Sequence, residues 1–269
     1  MTTLTDAAPT APAKHRAEVA TTLPPARSQS FLKLVTIELR KSVNTRSGRV
    51  LIAAILLLAV AAITWQLTHL PQGPAGFDGF LSAASTGVLL ILPVIGVMAM
   101  TSEWTQRTAL TTFTLSPRRI RVQLAKFVSA IVLSAVLTTA VVVVLALAGT
   151  ALAGAVTDHT TSYADFGGQL AGAYLTIALN VVMAAAIGAL IAQTAVGILV
   201  YYIAPTAWSL AGPALFKDNA NWLDVFGAFG RIAERDLNGM LPETLTAVGV
   251  WVVLPTIVGL WASSRREVK

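Results

Sequence analysis

Six long apolar segments, separated by short polar stretches, dominate the hydropathy pattern of the chain. We place them at residues 50–67, 80–100, 127–156, 168–192, 194–215 and 244–262. A helix needs about 20 apolar residues to cross the hydrocarbon core of a bilayer. The pattern therefore predicts an all-α integral membrane protein in which six transmembrane helices form one domain over residues 31–269.

The N-terminal part of the chain has a different pattern. Residues 1–30 are rich in Ala, Thr and Pro and poor in large apolar side chains, which predicts a disordered cytoplasmic tail. Residues 31–43 then mix apolar side chains with Lys33, Arg40 and Lys41. This mixture favours an interfacial helix in the headgroup layer. A plain cytoplasmic extension of the first span is the alternative.

The charged residues add an orientation to this picture. All but three of the 19 Lys and Arg residues fall on one side of the six spans; the exceptions are Lys217, Arg231 and Arg235. Basic residues accumulate in short cytoplasmic loops, so we expect both termini on the cytoplasmic side of the plasma membrane of a bacterial cell. The basic residues flank apolar spans instead of forming one face, which argues against nucleic-acid binding.

Several kinds of chemistry are excluded or disfavoured by what the chain lacks. It has no Cys, which excludes disulfides, thiolate zinc sites and a Cys nucleophile, and its three His residues fit no metal-ligand spacing. The six spans as placed contain no Asp, Glu, Lys, Arg or His, which weakens proton-coupled transport and intramembrane hydrolysis. No phosphate-loop motif is present. We therefore expect no enzyme activity, no metal and, if the chain belongs to a pump, a motor on another polypeptide.

The central polar stretch, TSEWTQRTALTTFTLSPRRIRVQLAK, covers residues 101–126. Glu103 and Arg107 have the i, i+4 spacing of an ion pair on a short helix, which Pro117 should end. The arginines that follow are expected to meet the lipid headgroups. For these arginines an ordinary basic cytoplasmic loop is the simpler interpretation.

The order E-W-x-x-R-T…T-L-S-P-R-R…L-A-K, after two spans and a basic interfacial helix, resembles the permease subunits of ATP-binding-cassette type-2 transporters over residues 31–269. Arg107 departs from the pattern, since the family often has Gly there. The resemblance implies that residues 31–43 form an elbow helix and residues 216–243 a re-entrant external segment. It also implies a cytoplasmic coupling helix that contacts a separate ATPase subunit through Glu103, Trp104, Arg107, Thr108, Leu115, Pro117, Arg118 and Arg119.

The resemblance carries further expectations about partners. ATP and Mg would be bound by the ATPase subunit, with no cofactor in this chain. A second permease subunit, identical or related, would complete the pathway within the lipid bilayer. Transport would be export (efflux) by alternating access. The alternative from another class is a non-transporting membrane anchor or sensor that recruits a cytoplasmic partner; a secondary transporter is disfavoured by the absence of charge in the spans.

The fourth span carries small residues at every fourth position, a pattern that lets helices approach closely. We assign helix packing to Gly168, Gly172, Thr176, Ala184 and Gly188. Asn180 lies on the same ridge and should bond to another helix or line a pathway. The family resemblance, in which the second and fifth helices face the path, adds weaker pathway candidates, each of which could equally be a packing or interfacial residue: Ser82, Ser85, Thr86, Tyr201, Tyr202, Thr206 and Trp208.

Overall fold

A computed structural model describes residues 30–70, 74–106, 119–156, 160–237 and 239–266. In these residues the chain is helical apart from short connections and two strands of two residues each, β1 (Ala75–Gly76) and β2 (Thr161–Ser162). The helices are α1 (Phe31–Asn44), α2 (Arg46–Thr68), α3 (Phe77–Thr105), α4 (Arg119–Val156), α5 (Phe166–Ile191), α6 (Thr194–Phe216), α7 (Val225–Glu234) and α8 (Leu241–Arg265).

Helices α2 to α6 and α8 are each long and apolar enough to cross a membrane. The described chain is therefore an all-α, multi-pass membrane protein, as the six apolar segments predict. The helices extend beyond those segments, most clearly at the central polar stretch, where α3 continues to Thr105 and α4 already begins at Arg119. Glu103 and Trp104 thus belong to α3, which corrects the expectation of a separate short helix at these two residues.

Local sequence explains where several helices begin. Ser30, Thr45 and Asp224 each accept a hydrogen bond from the backbone N–H three residues later, which caps α1, α2 and α7. In the sequence, Pro205 and Pro213 predict a break near the outer end of the fifth span. This prediction is wrong, because α6 runs through both prolines. A membrane helix tolerates such prolines when its neighbours re-satisfy the freed backbone groups.

Helices α3 and α5 form the centre of the bundle. In their most apolar stretches 61% and 56% of the residues are buried, against 17–22% for α2, α6 and α8. A methyl group added to Gly188 of α5 would lie 3.0 Å from the carbonyl oxygen of Val97 on α3. Contact this close between backbones is the use that membrane helices make of small residues.

The end of the bundle that carries β1 and β2 is called here the outer end. The two strands pair in parallel, Ala75 with Thr161 and Gly76 with Ser162. Helix α7 lies on α5 at this end, and the Thr176 hydroxyl donates to the Phe229 carbonyl at 3.3 Å. The small-residue ridge of α5 thus serves two neighbours, α7 in its outer half and α3 in its inner half.

The opposite end is called here the loop end, because α3 ends and α4 begins there. Helix α1 lies across the beginning of α4, where Leu34 and Val35 pack against Ala125. An extended residue, Thr45, separates α1 from α2 and lets the chain change direction. This arrangement places the polar face of α1 next to the end of α3.

Candidate functional site

Four charged side chains from three helices meet at the loop end, and we call them the ion cluster: Glu38, Lys41, Glu103 and Lys126. The Lys41 ammonium lies 2.7 Å from Glu38 Oε1 and 3.3 Å from Glu103 Oε1. The Lys126 ammonium lies 3.6 Å from Glu38 Oε2 and 3.3 Å from Glu103 Oε2. Each lysine therefore bridges both carboxylates, and the cluster joins α1, α3 and α4.

Most of the ion cluster is withdrawn from solvent. The Lys126 side chain is 0% exposed, and the side chains of Glu103 and Glu38 are 6% and 9% exposed. Lys126 also donates to the Ala99 carbonyl at 2.8 Å. Buried charges are costly unless they are paired and hydrogen-bonded, so two cations opposite two anions is the arrangement that makes this burial tolerable.

Lys41 is the member of the cluster that reaches solvent, with 48% of its side chain exposed. Burial, the largest single effect, lowers its pKa, but the hydrogen bonds and charges of Glu38 and Glu103 together outweigh it and raise the pKa above the usual 10.5. The favourable contribution of Lys41 is thus complete below about pH 10.5 and is lost only above it. The lysine stays protonated at neutral pH.

A second set of contacts, centred on Arg266, lies at the same end. Its guanidinium donates to the Ala189 carbonyl at 2.8 Å and also to the Leu190 carbonyl, so a positive charge caps the C-terminal end of α5. The same guanidinium lies 5.7 Å from the ring centroid of Trp104. Arg119 Nη1 donates to the Arg266 carbonyl at 2.6 Å. Burial lowers the pKa of Arg266 below its usual value.

Threonine hydroxyls make a third connection. Thr194, the first residue of α6, lies 2.7 Å from Thr101 and 3.1 Å from Thr105, both on the last turns of α3 (Oγ1 to Oγ1). With the ion cluster and the Arg266 contacts, these bonds attach the end of α3 to α1, α4, α6 and the residue that follows α8. Both flanks of segment 107–118 are therefore fastened to the bundle.

The predicted coupling residues divide into two groups. Glu103, Trp104 and Arg119 are described, and each takes part in the contacts above. Five others lie outside the described residues: Arg107, Thr108, Leu115, Pro117 and Arg118. The expected pair between Glu103 and Arg107 is thus not described, while Glu103 forms ion pairs with Lys41 and Lys126.

Sequence reasoning did not find Glu38, the residue that completes the ion cluster. A signal for it exists, because Glu38 is the only acid in α1 and lies one turn from Leu34 and Val35 on the buried face. An acid placed on the apolar face of a basic helix indicates a buried partner. Lys126 likewise lies on the buried, apolar face of α4, beside Val122 and Ala125.

The pathway candidates lie in three environments. Ser85, Asn180 and Tyr201 are buried, Ser82, Thr86 and Thr206 are exposed, and Tyr202 and Trp208 are half-buried. The Tyr201 hydroxyl donates to Asn180 Oδ1 at 2.8 Å, so Asn180 has the partner on another helix that its position requires. Ser85 donates to the Leu81 carbonyl of its own helix at 2.7 Å.

Tyr202 and Trp208 connect α6 to its surroundings. The Tyr202 hydroxyl donates to the Leu90 carbonyl of α3, one turn before Pro93. Trp208 Nε1 donates to the Ala220 carbonyl at 3.0 Å, in the 3₁₀ turn that follows α6. Tyr202 therefore attaches α6 to α3, and Trp208 attaches α6 to the turn that follows it.

Comparisons with known proteins add no relative to these observations. The chain matches no family model and no curated protein sequence. What the protein does must therefore be inferred from the residues at the loop end and from the pattern of the sequence.

Proposed function

We propose that this chain is the membrane-spanning permease subunit of an ATP-binding-cassette transporter of the type-2 family, and that it acts in export. The observation that carries the proposal is the ion cluster, which fastens the end of α3 to α1 and α4 beside the motif-bearing segment 107–118. The chain has no phosphate loop. Its energy therefore comes from a separate ATPase subunit that binds ATP and Mg.

In this proposal segment 107–118 contains the coupling helix that docks on the ATPase. Glu103 and Trp104 lie just before the segment and Arg119 directly after it, so both flanks are attached to the bundle. A displacement of the docked segment would then pass to several spans at once instead of being absorbed by a loose connection. The ion cluster transmits it to α1 and α4, and the Arg266 contacts transmit it to α5.

The same proposal assigns the remaining interfacial parts. Helix α1 is the elbow helix in the headgroup layer, since Leu32, Lys33, Ile37 and Arg40 are exposed while its opposite face is buried. Helix α7 and the 3₁₀ turn before it form the re-entrant external segment. The chain lies in the plasma membrane in this proposal, and the distribution of Lys and Arg supports an orientation with both termini in the cytoplasm.

A second permease subunit, identical or related, completes the transport path by alternating access. Three exposed residues with hydroxyl groups on the surface of the bundle support this: Ser82, Thr86 and Thr206. They fit a path between two subunits better than a surface that faces lipid alone. Helices α2 and α6, both little buried in their most apolar stretches, have surface available for such a contact.

The test takes a candidate ATPase with a phosphate loop, sought among the reading frames next to that of this chain, and measures its activity in lipid with and without the chain. We expect the chain to stimulate ATP hydrolysis and Glu103→Gln to reduce the stimulation while the complex still forms. Asp165→Asn, at the outer end, is the matched control and should retain the stimulation. Unchanged hydrolysis with no stable complex would refute the proposal and favour the membrane anchor or sensor.

A further inference from the structure

A cavity of about 260 Å³ lies between α1, the first turns of α2 and the last turns of α3. Its volume is slightly below the ~300–1,000 Å³ of pockets that hold drug-sized molecules, which suits a compact polar group. Its position at the ends of two membrane helices, beneath an amphipathic helix, puts its mouth at the level where lipid headgroups lie. The transport proposal assigns no role to this cavity.

The lining of the cavity is divided into polar and apolar parts. The polar part contains hydroxyl-bearing residues and the ion pair of Glu38 with Lys41; the hydroxyl-bearing residues are Ser42, Thr45, Ser47 and Ser102. The apolar part is formed by side chains of the spans themselves: Leu51, Ile95 and Met98. Hydroxyls and a cation beside an apolar wall match a molecule that is polar at one end and aliphatic at the other.

The lining itself is neutral, because Glu38 and Lys41 pair, but the chain segment that forms much of it carries an excess of positive charge, which favours an anion. Between residues 30 and 51 the chain carries five cations and one acid, Glu38, whose carboxylate is already bridged by two lysines. Four of the five cations are not used by the ion cluster, and all four are exposed: Lys33, Arg40, Arg46 and Arg49. Basic clusters next to a transmembrane helix attract anionic lipids.

We propose that this cavity binds the headgroup of an anionic phospholipid. The phosphodiester lies near Lys41 and the hydroxyl groups, and the acyl chains continue along the apolar wall formed by α2 and α3. A bound lipid would fill the space beside the ion cluster and brace α1 against the first two spans. The proposal is independent of transport and would hold equally for an anchor or sensor.

The test is native mass spectrometry of the purified full-length chain, after equal addition of dioleoylphosphatidylglycerol or dioleoylphosphatidylcholine. We expect the anionic lipid to be retained roughly tenfold better, a difference of about 1.4 kcal/mol in binding free energy. Ser102→Phe, which fills the cavity without changing charge, should abolish the preference. Leu90→Phe, at an exposed position of the same helix, should keep it.

Equal retention of the two lipids by the wild type, or an unchanged preference in Ser102→Phe, would overturn the proposal. Should Ser102→Phe fail to fold, thermal unfolding of the wild type decides. We expect phosphatidylglycerol to raise the melting temperature and soluble glycerol 3-phosphate at the same concentration to leave it unchanged. An equal shift with the soluble ester would show a phosphate-ester site that does not need a lipid, and this too would overturn the proposal.

Discussion

The two ends of the bundle both use ion pairs, but they use them in opposite environments. At the loop end Lys126 is fully buried between Glu38 and Glu103. At the outer end Arg235 pairs with Asp165, and their side chains are 50% and 58% exposed. Exposed pairs contribute about 0–1 kcal/mol, whereas removing one partner of a buried pair costs about 3–5 kcal/mol. The loop end is therefore the end at which charge holds helices together.

The largest effect is expected from Lys126→Met. The substitution leaves Glu38 and Glu103 close together and buried with only Lys41 between them, so unfolding free energy should fall by about 3–5 kcal/mol. Thermal unfolding of the purified chain in detergent measures this. The double variant Glu103→Gln, Lys126→Met is the control: it should recover part of the loss, and strictly additive effects would contradict a coupled cluster.

The next effect concerns the packing of α7 on α5. A side chain at Gly172 would overlap the Ala233 carbonyl, so Gly172→Val should displace α7 and cost about 1–3 kcal/mol. Faster proteolysis within residues 225–240 would report the displacement. Gly167→Val, where an added methyl group has open space around it, should leave the cleavage rate unchanged. Equal rates in both variants would show that α7 does not depend on this contact.

A similar or slightly smaller effect is expected for the hydrogen bond between α5 and α6. Tyr201→Phe leaves the buried Asn180 Oδ1 without its donor, at a cost of about 1–3 kcal/mol. Adding Asn180→Leu removes the orphaned amide and should reverse most of the loss in melting temperature. If the double variant were less stable than Tyr201→Phe, the bond would not explain the burial of these two groups.

The smallest effect is expected at the outer ion pair. Asp165→Asn should change the unfolding free energy by less than about 1 kcal/mol, because water and salt screen the exposed charges. Melting temperatures measured at low and high salt test this. A loss as large as that of Lys126→Met would remove the contrast between the two ends.

The spans could be predicted from the sequence because each is a continuous apolar run of membrane length. Their ends could not. The predicted second span ends before Glu103 and the predicted third span begins after Lys126, although both residues lie on long helices. The burial of Glu103 and Lys126 depends on Lys41 and Glu38 of α1. Lys41 and Glu103 are 62 residues apart in the chain, and no local pattern predicts an ion pair over that separation.

The candidate site shows the same limit. A mid-membrane amide at Asn180 predicts a partner on another helix, but only the packing of α5 on α6 selects Tyr201. Pro205 and Pro213 suggested a break that is not formed, because propensity is weaker than the requirement to satisfy backbone groups in lipid. The family pattern singled out Glu103 for coupling, whereas its bonds to Lys41 and Lys126 emerge only from the assembled helices.

The most direct measurement is cross-linking from segment 107–118 to the proposed ATPase subunit. The chain has no Cys, so a single Thr112→Cys variant carries one thiol for a photoactivatable reagent. In membranes that contain both proteins, we expect Thr112→Cys to cross-link to the ATPase and Ser162→Cys, in β2 at the outer end, to give no product. A complex that purifies intact but forms no cross-link from Thr112→Cys, or forms one from Ser162→Cys instead, would contradict the assignment of the loop end as the coupling site.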